Sequence, residues 1–175
     1  SELKIMKSKK NTQGFATKAI HSGQEPDPST GAIIGPIYTS STYVQESPGE
    51  HKGFDYSRTS NPTRKALEIC MTDLEEGGQG FAFSSGMAAM TAIFTMFKPN
   101  HHIIISKNVY GGVFRLVTQV LNDTGVHFEF IDTTDVKNTE KAIKKNTKLI
   151  HLETPSNPLL ELADIKSTVQ ICKKQ

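Results

Sequence analysis

Cysteine and net charge are both scarce in this chain, tryptophan is absent, and no apolar run is long. Only two cysteines occur in 175 residues. Cys70 and Cys172 stand far apart and form no CxxC pair, which excludes a disulfide framework and a zinc-finger spacing and fits a reducing compartment. Twenty basic residues face eighteen acidic ones, for a net charge of +2. Such a balance creates no large field to recruit nucleic acid or a membrane surface, so small molecules are the expected ligands. No segment approaches the roughly 20 apolar residues of a membrane span. The opening "SELKIMKSKKN" lacks the apolar stretch of a signal peptide. Lys4, Lys7, Lys9 and Lys10 read as a solvated terminus rather than a targeting tract, and the expectation is a cytoplasmic protein without a membrane partner. The six histidines are scattered, and His101-His102 has no third ligand in metal spacing, so no metal site is expected. Ser84-Ser85 lacks the G-x-S-x-G pattern of a nucleophile elbow.

What is present divides in two. From Gly14 to about Pro62 the sequence is rich in Gly, Pro, Ser and Thr and keeps no period of 3.6 or 2. It nevertheless carries Phe15, Ile20, Ile33, Ile34, Ile37, Tyr38, Tyr43 and Phe54, more apolar matter than a disordered segment holds. Residues 1–62 are therefore expected to form an irregular arm that packs on a neighbouring subunit, and residues 63–175 a domain.

In that domain "SNPTRKALEICMTDL" predicts a helix capped by Ser60 or Asn61 with Pro62 in its first turn. Leu67, Cys70 or Met71, and Leu74 share one face, and Gly77-Gly78 form the stop. A short strand is expected near Gly80 to Phe83, then a helix from about Met87 to Phe97. "HHIIIS", "VHFEFID" and "KLIHLET" predict strands. Between them come a helix with Val113, Leu116, Val117, Val120 and Leu121 on one face, and another through Lys141 to Lys145. "DIKSTVQICKK" opens a last helix. Strands alternating with amphipathic helices imply parallel βαβ units and an α/β fold.

In an open parallel sheet, ligands bind beyond the carboxyl ends of the strands. Three of those ends are unusual: "SSGM", "NVYGG" and "ETPSNP". In "FAFSSGMAAMTAIF", small residues lead straight into a helix whose first amides lack intrahelical partners, an arrangement that suits a phosphate. The same residues also suit a plain turn with Ser84 or Ser85 as N-cap.

Together "YSRTSNPTR" (56–64), "SSGMAA" (84–89), "VYGG" (109–112) and "ETPSNP" (153–158), in this order and spacing, resemble the Cys/Met-metabolism family of pyridoxal phosphate enzymes. The resemblance runs from "FATKAIHSG" to about Ile165. It implies the first half of the three-layer, parallel-sheet cofactor domain of the type I pyridoxal phosphate fold. It also implies pyridoxal 5'-phosphate as cofactor, an amino acid substrate, and a homo-oligomer, expected as a tetramer, whose sites are shared between subunits. By the same resemblance Gly86 and Met87 offer amides to the phosphate, and Tyr110 stacks on the ring and exchanges protons. Asn157 bonds the ring's phenolic oxygen, and Tyr56 and Arg58 reach a neighbour's phosphate. Taken alone, Tyr110 is a turn aromatic, Asn157 a turn residue and Arg58 a solvated charge.

The implied activity is of the cystathionine γ-lyase type, with cystathionine γ-synthase as the alternative. Gly112 follows Gly111 where methionine γ-lyases usually carry a cysteine, which lowers that option. The family's Schiff-base lysine in "S-x-T-K" and its aspartate in "DNT" have no counterpart in this chain. They are expected after Gln175, with the rest of the large domain and a small C-terminal domain. "ATK" at 16–18 belongs to the arm motif. A non-catalytic assembly or binding subunit is the competing class.

Overall fold

The structure, a computed structural model, describes residues 13–174. The stretch holding Lys4, Lys7, Lys9 and Lys10 lies outside them. The chain divides into two units between Ala82 and Phe83.

The first unit is built on α1 (Phe15–His21), the short antiparallel strands β1 (Gln45–Ser47) and β2 (Glu50–His51), and α2 (Pro62–Leu74). Of the two candidate caps Asn61 is the one used. Its side chain accepts from the Thr63 amide at 2.8 Å, and Pro62, which has no amide hydrogen to satisfy, sits in the first turn. The arm is less irregular than its composition predicts, since α1 and the hairpin interrupt it. Seven residues are only two turns, too short for a 3.6 period to stand out. On α2, Cys70 and Leu74 are half-buried while Leu67 and Met71 are exposed, so the expected apolar face is only partly covered. Gly23 has φ +77°, and a Cβ there would come within 2.2 Å of the Ala66 carbonyl oxygen. Only glycine allows this approach.

The second unit forms around β3 (His102–Ser106), every residue of which is buried. A strand covered on both faces reads as an unbroken apolar run, and Ile103, Ile104 and Ile105 are that run. Burying each such side chain contributes about 1.5–3 kcal/mol. Around it the sheet order is β4 (His127–Ile131), β3, β5 (Thr147–His151), all parallel. Helix α3 (Gly86–Phe94) precedes β3. Helix α4 (Gly111–Arg115) follows it and widens into a π-helical turn over Leu116–Val120. The strands are continued by α5 (Val136–Ala142) and α6 (Ile165–Cys172), capped by Asp135 and Asp164. Phe94, Ile103, Ile105, Val113, Leu116, Val117 and Val126 share one core. This is the expected α/β arrangement with parallel strands.

Three elements differ from expectation. Residues 80–83 form no strand: Phe81 and Phe83 are exposed, and no ladder is made there among the described residues. A strand exists only through a neighbour's amides and carbonyls, which composition cannot supply. Helix α3 ends at Phe94 rather than near Phe97, and α5 stops at Ala142 because Ile143 is already extended.

One polar group belongs to the core. Buried His102 sits between Thr147 Oγ1 at 2.8 Å and Glu129 Oε2 at 3.0 Å. Burial holds its imidazole below the ordinary range, with the nearby Lys144 charge adding to that effect. Through these two bonds the ring ties all three strands together.

Candidate active site

The carboxyl ends of the strands bring several short loops together. After β3 the chain passes Lys107, Asn108 and Val109 to Tyr110, which stands at the N-terminus of α4. After β5 it passes Glu153 to Asn157 through a turn with cis bonds before Pro155 and Pro158. Helix α3 begins at Gly86, where Ser85 is the N-cap and its hydroxyl accepts from the Ala88 amide at 3.1 Å. That bond leaves the amides of Gly86 and Met87 as the first two of the helix, at its partially positive end. The plain capping role and the anion-binding role are thus compatible: Ser85 takes one amide, and two others remain for a ligand.

Met87 and Tyr110 meet over Gly112. A Cβ on Gly112 would lie 2.4 Å from Tyr110 Cε1 and 2.9 Å from Met87 Sδ. The missing side chain is what lets the tyrosine ring lie back against the start of α4. The ring remains 49% exposed, so a large part of its surface is open to a partner. A flat ring with a phosphate tail fits these residues: an available aromatic surface in Tyr110, and helix-start amides at Gly86 and Met87 beside it. Asn157 is exposed on the neighbouring loop.

Glu153 connects these parts. Its Oε2 accepts from the Tyr110 amide at 2.8 Å and its Oε1 from the Asn157 amide at 3.1 Å. Beneath it Ser106 Oγ pairs with Thr133 Oγ1 at 2.9 Å and accepts from the Glu153 amide at 3.3 Å. Asn108 donates to Glu161 Oε2 at 2.7 Å, closing the rim. Lys107 and Asp132 pair at 2.6 Å on the surface, and this bond with those from Thr134 draws the Asp132 carboxyl down to about 2. His151 lies under the site against Phe94, and burial pushes its imidazole down.

Tyr56 and Arg58 lie in the first unit. Arg58 Nη2 donates to the Tyr56 hydroxyl, and its guanidinium carbon stands 5.0 Å from the ring centroid. Arg64 has a different task. It donates to the carbonyls of Ser57 at 3.3 Å and Thr59 at 2.6 Å and pairs with Glu68 at 3.6 Å, so it braces the Tyr56–Arg58 loop on α2.

Residues 16–175 match the family described as Cys/Met metabolism PLP-dependent enzyme. The chain belongs to this pyridoxal-phosphate-dependent family. A probable cystathionine γ-synthase of Herpetosiphon aurantiacus is 48% identical over 161 residues, which are 92% of this chain and 50% of that protein. The cystathionine γ-lyase of Bacillus subtilis is 49% identical over 158 residues, 90% of this chain and 42% of that protein. Other relatives carry the name cystathionine β-lyase. The crystal structure of metB from Corynebacterium glutamicum superposes with a TM-score of 0.89 at 44% identity, over 95% of this chain and 44% of that chain. The chain thus spans about half, or less, of the length of the curated relatives it matches, and the α/β fold is that of these enzymes.

Sequence reasoning missed Glu153 and the steric role of Gly112. Glu153 stands inside "ETPSNP", but its partners are amides 43 and 4 positions away, which no spacing rule points to. For Gly112 a signal existed: a second glycine directly after "VYG" marks a place where something approaches the backbone closely.

Proposed function

We propose that the full-length protein is a pyridoxal-phosphate-dependent enzyme of sulfur amino acid metabolism that cleaves cystathionine by γ-elimination. Water is consumed, and cysteine, 2-oxobutanoate and ammonia are released. The observation that carries the reading is the meeting of Tyr110 and Met87 over Gly112 beside the start of α3. When bound, the cofactor supplies an electron sink for the pair left at the substrate's α-carbon. In this reading the amides of Gly86 and Met87 hold the phosphate, and the Tyr110 ring fixes the plane of the cofactor. The Tyr110 phenol moves a proton to or from the substrate. Asn157 bonds the ring's phenolic oxygen. Tyr56 and Arg58 serve the phosphate of a neighbouring subunit in a cytoplasmic homotetramer, guanidinium being suited to pair phosphate oxygens in a fork.

Gly112 also bears on the choice of reaction. A cysteine there, as methionine γ-lyases usually carry, would collide with the Tyr110 ring where that ring now lies. Cystathionine γ-synthase is the second reading, supported by the Herpetosiphon relative. The test is to incubate the full-length protein and pyridoxal phosphate with cystathionine and identify the keto acid. The expected product is 2-oxobutanoate with equimolar cysteine. Pyruvate with homocysteine would assign β-elimination instead. No keto acid from cystathionine, with cystathionine formed in a second incubation that supplies cysteine and an activated homoserine, would assign the synthase.

A further inference from the structure

Glu153 uses its two carboxylate oxygens on two different loops. Tyr110 follows β3 and Asn157 follows β5, and each gives its backbone amide to one oxygen, at 2.8 and 3.1 Å. Glu153 is itself anchored before it reaches out. Its amide bonds Ser106 Oγ at the end of β3, and that hydroxyl is paired with Thr133 just past β4. All three strand ends thus converge on the residue that spans the two loops. Amides bonded to a carboxylate are held more firmly than amides bonded to a neutral carbonyl, and two bonds from one planar group fix orientation as well as distance.

We infer that Glu153 is a positioning residue: by bridging the amides of Tyr110 and Asn157 it sets the separation and tilt of the two groups that address the cofactor ring. The inference rests on the reading of this site as a pyridoxal phosphate site. Glu153 touches no reacting atom in this role. Its effect passes through the angle at which Tyr110 meets the ring and through the direction of the Asn157 amide. A bridge of this kind needs two acceptor oxygens, whereas a residue that merely fills space at the turn needs only its size.

The two requirements separate in Glu153→Gln, which keeps the shape and removes one acceptor. The experiment uses the full-length protein loaded with pyridoxal phosphate and compares wild type, Glu153→Gln and Glu153→Ala. Three quantities are read: the circular dichroism of the cofactor's visible band, which reports ring tilt, the thermal midpoint, and the split between kcat and KM with cystathionine. Glu153→Gln is expected to keep the thermal midpoint of wild type and to bind the cofactor. Its visible dichroism should fall to the level of Glu153→Ala, and its kcat should drop about tenfold with KM little changed, the pattern of lost orientation rather than lost binding. Wild-type dichroism and kcat in Glu153→Gln would overturn the inference, even if Glu153→Ala fails to fold. A wild-type protein that takes up no pyridoxal phosphate would overturn the site reading as well, so the two failures are distinct.

Discussion

Gly112→Ala is expected to lower kcat/KM of the full-length protein with cystathionine by about a hundredfold while leaving the fold in place. The added Cβ would start 2.4 Å from Tyr110 Cε1 and 2.9 Å from Met87 Sδ, well inside van der Waals contact. Something must move by about 1 Å to restore ordinary contact, and the tyrosine is the freer of the two. Met87 packs against the core, whereas the Tyr110 ring is half-exposed. The ring will swing toward solvent, which costs the fold little because few buried contacts are lost. A thermal midpoint equivalent to a loss under about 1 kcal/mol is expected. Function is not spared in the same way, since a misplacement of about 1 Å at a reacting group costs on the order of 10²-fold. Steady-state kinetics and a melting curve on the same preparation check both halves. Activity within about twofold of wild type would mean that the Tyr110 ring position carries no function.

The second large effect is a recovery rather than a loss. Arg58→Ala and Tyr110→Ala are each expected to be nearly inactive, and mixing the two is expected to restore roughly a quarter of wild-type activity. The proposal behind this is that Arg58 serves a neighbouring subunit, while Tyr110 serves its own. One mutant then has a sound strand-end site and a defective arm, and the other the reverse. In a mixed pair one site receives both sound parts and the other neither. Random reassortment makes about half of the pairs mixed, and one of the two sites in each is whole. Co-expression with two different tags, followed by cystathionine turnover per subunit, gives the number. Activity that only averages the two parents, with mixed species present, would place Arg58 in its own subunit's site.

How far the sequence could be read depended on how local the cause was. The run "HIIIS" announced β3 because full burial on both faces admits no polar alternation. The start of α3 was equally plain, since Ser85 caps it through a bond three residues away. The motifs after β3 and β5 placed Tyr110 and Asn157 at the carboxyl end of a parallel sheet, whereas Gly86 and Met87 open α3 after a stretch that forms no strand. The stretch 80–83 was misread for the opposite reason: its apolar residues suit a strand, but a strand also needs a paired neighbour. Glu153 was invisible because its work consists of bonds to amides, and every residue except proline has one. The arm concealed α1 because two turns of helix between glycine-rich segments leave too few positions to reveal a period.

That the full-length protein carries pyridoxal phosphate as a working catalyst, rather than as a loosely held ligand of an assembly subunit, is the proposal from which the other expectations follow. It is tested most directly by borohydride treatment of the protein after incubation with the cofactor, followed by absorption and intact mass. A visible band that borohydride removes, with the cofactor's mass left on the polypeptide, is the result expected. A band that disappears on gel filtration, with an unchanged polypeptide mass after borohydride, would contradict the account.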